Sequence, residues 1–180
     1  AAYQALGEKK GAVVVMEPKT GKILAMVSKP DFDPNTVESS WNALSTDENS
    51  VLLNRATQGQ YAPGSTFKVV TLLEFMRENP DYSSYSYNCT GSIENSGIKI
   101  HCYNGHVHGQ VSLEESLAYS CNTSFSNIGL SLDPVKFKKT AEEVLFESKL
   151  PSDLPYSKSS FTMDSSAGNG TKMMTAMGQG

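Results

Sequence analysis

The sequence predicts a mixed α/β (α+β) domain, and three observations carry that reading. An apolar hairpin stands near the start, a long uninterrupted apolar helix follows it, and a capping signature introduces further helices beyond. The hairpin joins residues 11–16 and 23–27, both apolar and rich in valine, isoleucine and leucine, through Glu17-Pro18-Lys19-Thr20-Gly21-Lys22. Pro18 and Gly21 stand where a turn needs them. Strands this apolar suggest a sheet covered on both faces. Two strands are not stable alone in water, so further strands or a packed helix are expected beside them.

Residues 28–62 read as loop, opened by Pro30, Asp31, Asp33, Pro34 and Asn35, with room for a short helix around Trp41. After Pro63-Gly64 comes the strongest segment: residues 65–77 carry Phe67, Val69, Val70, Leu72, Leu73, Phe75 and Met76 with no internal Gly or Pro. A helix apolar around most of its circumference is a buried one. Its first turn nevertheless carries Ser65 and Lys68, and a buried ammonium is costly without a partner or a purpose.

Residues 80–110, rich in Tyr, Ser, Asn and Gly, read as surface loop and short strands; the alternation of Tyr82, Tyr85 and Tyr87 suggests a half-buried strand. Ser112 followed three residues later by Glu115 has capping-box form. A helix over about 113–119 follows and breaks at Ser120-Cys121-Asn122, before a second helical stretch through Phe125, Ile128 and Leu130. Asp133-Pro134 opens another helix over 135–145. Residues 151–171 read as a long loop.

Composition narrows the function. The chain has 180 residues, 38% of them hydrophobic and 19% charged, as in a globular protein with a real core. Net charge is −4 and no Lys/Arg block occurs, which argues against nucleic-acid binding. No apolar run approaches the roughly 18 residues of a membrane-spanning helix, and no leader pattern is seen at the start. Three cysteines, Cys89, Cys102 and Cys121, are too few for a disulfide scaffold. Either Cys89 and Cys102 bridge a loop, or all three are unpaired thiols.

The residues that can carry chemistry begin with Ser65-Thr66-Phe67-Lys68. A spacing of three on a helix puts both polar side chains on one face, with Cβ atoms roughly 5–6 Å apart. A serine hydroxyl is a poor nucleophile until a base takes its proton, and a lysine whose pKa is lowered by burial can be that base. An isolated match is weak, since serine also caps helices and lysine snorkels to the surface. Here a second element follows: Ser120-Cys121-Asn122, at a break between helices, can present a hydroxyl and an amide toward a cleft. The same triplet also suits an ordinary turn.

Taken together, these stretches resemble the penicillin-binding proteins, the D,D-transpeptidases of peptidoglycan synthesis, and their serine β-lactamase relatives. That group is marked by S-x-x-K, an S-D-N-type triplet and K-T-G. The resemblance rests on residues 11–30 (GAVVVMEPKTGKILAMVSKP), 54–68 (NRATQGQYAPGSTFK), 112–122 (SLEESLAYSCN) and 176–180 (AMGQG), in the family's order and over most of the chain. It implies the penicillin-binding transpeptidase / β-lactamase-like fold, divided here into an N-terminal hairpin of the central antiparallel sheet (1–30), a mainly helical part with the active-site helix (31–150) and a loop leading to further strands (151–180).

The resemblance also implies roles. Ser65 is the acyl-accepting nucleophile, Lys68 its general base, Ser120 a proton relay toward the leaving amine, and Asn122 a substrate-binding amide. Cys121 takes the variable middle position. The implied reaction attacks the penultimate D-Ala carbonyl of a stem peptide, and β-lactam antibiotics acylate the same serine. The implied location is the extracytoplasmic face of the bacterial membrane, with any anchor outside these residues. A serine β-lactamase is an alternative, although no second base for water is identifiable; a non-catalytic β-lactam sensor or an inactive fragment is another.

One element departs from the pattern. The family's Lys-Thr/Ser-Gly motif follows Ser-x-Asn, whereas the literal match here, Lys19-Thr20-Gly21, precedes Ser65 in the hairpin turn, and Thr171-Lys172-Met173 lacks the glycine. The expectation is therefore a complementary polypeptide that carries this motif and the remaining strands. His101, Cys102, His106 and His108 are metal-ligand types but match no standard zinc spacing, so no metal and no cofactor are expected.

Overall fold

The computed structural model describes residues 1–179, and the final glycine of the Ala176–Gly180 stretch lies outside them. Two compact units form among them: residues 1–61 with 150–158, and residues 62–149 with 159–179.

In the first unit, β1 (Gly11–Met16) pairs antiparallel with β2 (Ile23–Lys29), with an irregularity between Val15 and Met16. The Lys19-Thr20-Gly21 match lies in the connecting turn. Gly21 there adopts φ 73°, and its amide donates to the Glu17 carbonyl at 2.9 Å. A short helix, α1 (Ala2–Leu6), precedes the hairpin and was not anticipated; nothing in its five residues caps it. The Lys29 ammonium donates to the Gly7 carbonyl at 2.8 Å and sits over the Tyr3 ring. The loop beyond β2 holds the expected helix around Trp41, α2 (Val37–Ser45). Ser28 anchors that loop, donating from its hydroxyl to the Leu53 carbonyl and accepting from the Arg55 amide. The buried Arg55 guanidinium satisfies the carbonyls of Ser50 and Asn49.

The apolar strands are not covered on both faces within the described residues. Val14, Met16, Ile23 and Leu24 are all exposed, Leu24 by 66%. Within the sheet, β1 and β2 have only each other as partners.

The second unit holds the main core. Residues 64–67 form a tight turn of 3₁₀ helix that runs into α3 (Lys68–Glu78). Short strands β3 (Ser86–Cys89) and β6 (Gly109–Ser112) pair antiparallel, as do β4 (Ser92–Asn95) and β5 (Ile98–His101). Of the three tyrosines only Tyr87 lies in a strand; Tyr82 begins a 3₁₀ turn. The capping box forms as expected: the Ser112 hydroxyl accepts from the Glu115 amide, and the Glu115 carboxylate accepts from the Ser112 amide at 2.8 Å. It opens α4 (Leu113–Ala118). The chain breaks there and resumes as α5 (Asn122–Ser131). The Asp133 carboxylate caps α6 (Pro134–Glu143) through the amides of Val135 and Lys136.

The helix expected to be buried all round is exposed along one side. Val69 and Leu73 of α3 are exposed, while Lys68, Thr71 and Glu74 are buried. The buried polar side is satisfied: the Thr71 hydroxyl donates to the Ala176 carbonyl at 2.9 Å, and the Thr140 hydroxyl to the Glu74 carboxylate. The composition of a helix does not reveal which side its neighbours supply with acceptors.

Residues 151–168 are without helix or strand, but α7 (Asn169–Ala176) follows. Its N-cap, Gly168, offers no side chain to announce a start. α7 packs closely on α5 at Gly129, where a Cβ would come within 2.6 Å of the Lys172 carbonyl oxygen. Phe67, Phe137 and Phe161 form an aromatic cluster with ring centroids 5.5–5.9 Å apart. Phe137 is fully buried within it. Phe137→Ala is expected to cost about 3–5 kcal/mol, read from the shift in denaturant midpoint; a loss below about 1 kcal/mol would be a surface-like value and would show that the cluster does not hold this unit together.

Candidate active site

The 3₁₀ turn determines where Ser65 and Lys68 stand. Gly64 adopts φ 59°, and its amide donates to the Gly178 carbonyl at 2.9 Å. Gly178, at φ 77°, approaches so closely that a Cβ there would lie 2.1 Å from the Gly64 oxygen. This backbone clasp seats the residue before Ser65 on the end of α7. Two residues after Ser65 comes Phe67, whose ring enters the core, so the turn carries the Phe67 side chain inward and leaves Ser65 at a cleft.

Lys68 is fully buried. Its ammonium donates to the Ser120 carbonyl at 2.8 Å, the Ser120 hydroxyl at 3.0 Å and the Asn122 side-chain oxygen at 2.7 Å. Those three acceptors use all three donors of an ammonium group. The Phe125 ring lies 5.4 Å away. Snorkelling, the ordinary fate of a helical lysine, is excluded by this geometry. Burial pushes the Lys68 pKa down to about 8, against the opposite pull of the Cys121 and Cys102 sulfurs.

The loop that receives Lys68 is held in an uncommon shape. Ser120 adopts φ 51°, in the left-handed region that a non-glycine residue rarely occupies. The Cys121 amide donates to the Ser116 carbonyl at 2.9 Å, and the Asn122 side-chain amide donates to the His101 carbonyl at 3.1 Å. Asn122 therefore bridges Lys68 and the end of β5.

Ser65, Ser120 and Asn122 line one cleft of about 620 Å³. Its other walls come from Tyr103, Asn104, His106, His108 and Tyr119, with the His108 and Tyr119 rings stacked at 5.8 Å. These walls were not foreseen as site residues, because four come from irregular chain between β5 and β6 and Tyr119 from the end of α4, none with a periodic or motif signal. The structure thus brings together the two separated sequence elements, Ser65–Lys68 and Ser120–Asn122, in one place.

The family model described as "Penicillin binding protein transpeptidase domain" matches residues 11–180.

The chain belongs to the penicillin-binding protein transpeptidase family.

Among curated proteins it is 40% identical over 152 residues to the peptidoglycan D,D-transpeptidase PbpA of Mycolicibacterium smegmatis, a match covering 76% of this chain and 30% of that protein. It is 31% identical over 134 residues to the peptidoglycan D,D-transpeptidase MrdA of Escherichia coli, covering 71% of this chain and 21% of that protein. The chain thus spans less than a third of these relatives. Among solved structures, PBP2 of Helicobacter pylori matches at TM-score 0.90 and 27% identity, over 99% of this chain and 37% of that one. The penicillin G acyl-enzyme complex of penicillin-binding protein A from M. tuberculosis matches at TM-score 0.85 and 29% identity, over 99% and 45%.

Proposed function

We propose that this penicillin-binding transpeptidase chain carries the acylation machinery of a peptidoglycan D,D-transpeptidase, with Ser65 as nucleophile, Lys68 as base, Ser120 as proton relay and Asn122 as substrate-binding amide. The observation that carries the reading is the burial of Lys68 against Ser120 and Asn122, three residues along the chain from a serine at the same cleft. A lysine whose amine is partly neutral near physiological pH can take a hydroxyl proton; a solvated lysine cannot.

The steps follow from these positions. Neutral Lys68 takes the Ser65 Oγ proton as Oγ bonds to the penultimate D-Ala carbonyl carbon of a stem peptide. The C–N bond to the terminal D-Ala breaks, and the proton passes from Lys68 through the Ser120 hydroxyl to the leaving amine. An amine of a neighbouring strand then attacks the ester, loses a proton by the same route and frees Ser65. A β-lactam offers its ring amide to the same oxygen; its leaving amine stays tethered.

Two further parts belong to this reading. The exposed apolar edge and faces of β1 and β2 suit additional strands, and the relatives matched are much longer than this chain. We assign to such a complementary polypeptide the Lys-Thr/Ser-Gly motif that Lys19-Thr20-Gly21 does not supply. The stem-peptide substrate places the work on the extracytoplasmic face of the bacterial membrane. No helix among the described residues is long and apolar enough to cross it.

Incubating the purified protein with penicillin G tests the assignment. A mass gain of one antibiotic, mapped by peptide sequencing to Ser65, supports it; an adduct on another residue, or none, overturns it. The rate of that acylation is also expected to depend on pH. Below about 8 Lys68 is protonated and cannot accept, so the rate falls about tenfold per pH unit and levels off above that value. Stopped-flow acylation between pH 5.5 and 9.5, a range of about four units spanning that pKa, reads this directly. A flat profile would remove Lys68 as the base.

A further inference from the structure

Away from the Ser65 hydroxyl, the second unit contains a small core of its own, built from Cys89, Cys102 and Cys121 with Tyr87 packed against them. The three thiols are free and all buried, Cys89 and Cys121 completely. His108 joins them: its Nδ1 lies 3.3 Å from the Cys89 sulfur. One ligand-type atom from each of Cys89, Cys102, His108 and Cys121 falls within 4.8 Å of every other.

We infer that Cys89, Cys102, His108 and Cys121 form a structural zinc site, three thiolates and one imidazole around a single Zn²⁺. The separations carry the argument. A tetrahedral ion with Zn–S near 2.3 Å and Zn–N near 2.0–2.1 Å sets S···S edges of about 3.8 Å and S···N edges of about 3.6 Å. The observed values are 3.7 Å for Cys89–Cys102, 3.8 Å for Cys102–Cys121 and 3.3 Å for Cys89–His108. The sulfurs are too far apart for disulfides, whose S–S bond is about 2.05 Å. Soft thiolates with imidazole in a tetrahedral set select zinc over the hard, oxygen-seeking cations.

Apolar packing of three thiols would account for the sulfur spacing alone. It does not account for the polar groups aimed at those sulfurs. The Thr123 hydroxyl lies 3.2 Å from Cys89, 3.4 Å from Cys121 and 3.6 Å from Cys102. The backbone amides of Gly91 and His108 donate to Cys89, and that of Ser124 to Cys121. Donors gathered on sulfur stabilise thiolates and orient metal ligands. His108 is also fixed, stacked flat on Tyr119 at 5.8 Å and packed edge-on against His106 at 4.7 Å.

The ligands come from four places in the chain: the end of β3, the residue after β5, the approach to β6 and the N-cap of α5. Four protein ligands leave no open position, so the ion holds structure and does not activate water. Cys121 is the middle residue of Ser120-Cys121-Asn122, and Cys102 follows the His101 carbonyl that accepts from Asn122. Zinc here would brace the Lys68-binding loop from behind. Binding releases one proton from each thiol, while His108 binds as the neutral imidazole through Nδ1.

The inference does not rest on acylation chemistry, and neither does its test. The protein, purified under reducing conditions without chelator, is expected to contain one zinc per chain by elemental analysis. Replacing that zinc with Co²⁺ is expected to give the intense visible bands of a tetrahedral thiolate site, together with sulfur-to-cobalt charge transfer. Cys102→Ser and His108→Ala are each expected to weaken Co²⁺ binding by more than about tenfold, since loss of even a group that only orients a ligand costs about that much. Because a variant could fail to fold, the unsubstituted protein is read first. If folded protein with three titratable thiols binds no Co²⁺ tetrahedrally, the site does not exist. A native disulfide between any two of the cysteines, or tetrahedral Co²⁺ spectra unchanged in both variants, would equally overturn it.

Discussion

Ser65→Ala is expected to abolish covalent β-lactam labelling entirely, the largest effect of any single substitution in this chain. The change removes one oxygen, and the other hydroxyl beside Lys68 at the cleft, that of Ser120, is the proposed proton relay and not the nucleophile. Folding should be undisturbed. Ser65 lies within the 3₁₀ turn of residues 64–67 and is not its N-cap, and alanine is compatible with a helical turn. Mass spectrometry of the variant after prolonged exposure to penicillin G, alongside its thermal melt, decides the matter. Labelling that persists would transfer the nucleophile's role to another residue; loss of both labelling and fold would remove the evidence for that role.

Lys68→Met is expected to lower the acylation rate by about 10²–10⁴-fold, the usual worth of a positioned proton acceptor. Unlike Ser65→Ala, it should also cost stability. Lys68 is fully buried and satisfies the Ser120 carbonyl, the Ser120 hydroxyl and Asn122. Methionine fills much of the same space but leaves those acceptors without a donor, at about 1–3 kcal/mol for each that stays dry. The loss is softened by removal of a desolvated ammonium. Acylation kinetics and denaturant unfolding measured on the same variant separate the two effects. A variant that acylates at the normal rate would show that another group takes the Ser65 proton, whatever its stability.

The two effects differ because of how each residue is held. Ser65 depends on a backbone clasp, Gly64 to Gly178, and on the turn that follows; its own side chain holds nothing together. In the proposed reaction Lys68 is at once a reactive group and a strut between α3 and the break before α5. The left-handed conformation of Ser120 is sustained by the contacts around it, and Lys68 supplies two of them. Chemistry and local architecture therefore share one side chain.

Much of the framework was legible in short stretches of sequence. The β1–β2 hairpin, the Ser112–Glu115 capping box, the Asp133-Pro134 start of α6 and the break at Ser120–Asn122 all formed near their expected places. Each is decided by a few adjacent residues: a turn needs its glycine, a helix its cap. Elements without such signals were missed. α1 and α7 begin with no side-chain cap, and α3 has the composition of a fully buried helix while exposing Val69 and Leu73.

The sequence by itself determined which residues could react and in what order they occur: a serine with a lysine three residues on, then a serine and an asparagine around a cysteine. Those are local facts, because the spacing of three on a helical turn needs no tertiary contact to be meaningful. Only the tertiary structure decided that Lys68 is buried, that Ser120 and Asn122 supply its acceptors, and that Cys89, Cys102, His108 and Cys121 converge. Burial and convergence depend on contacts between residues far apart in the chain, Lys68 with Ser120 and Asn122 above all, and such contacts repay the entropy of closing the chain between them. No periodicity within a window encodes such a meeting. The Cys121 that looked like a spacer between Ser120 and Asn122 became, once folded, the residue that joins the Lys68-binding loop to the cluster behind it.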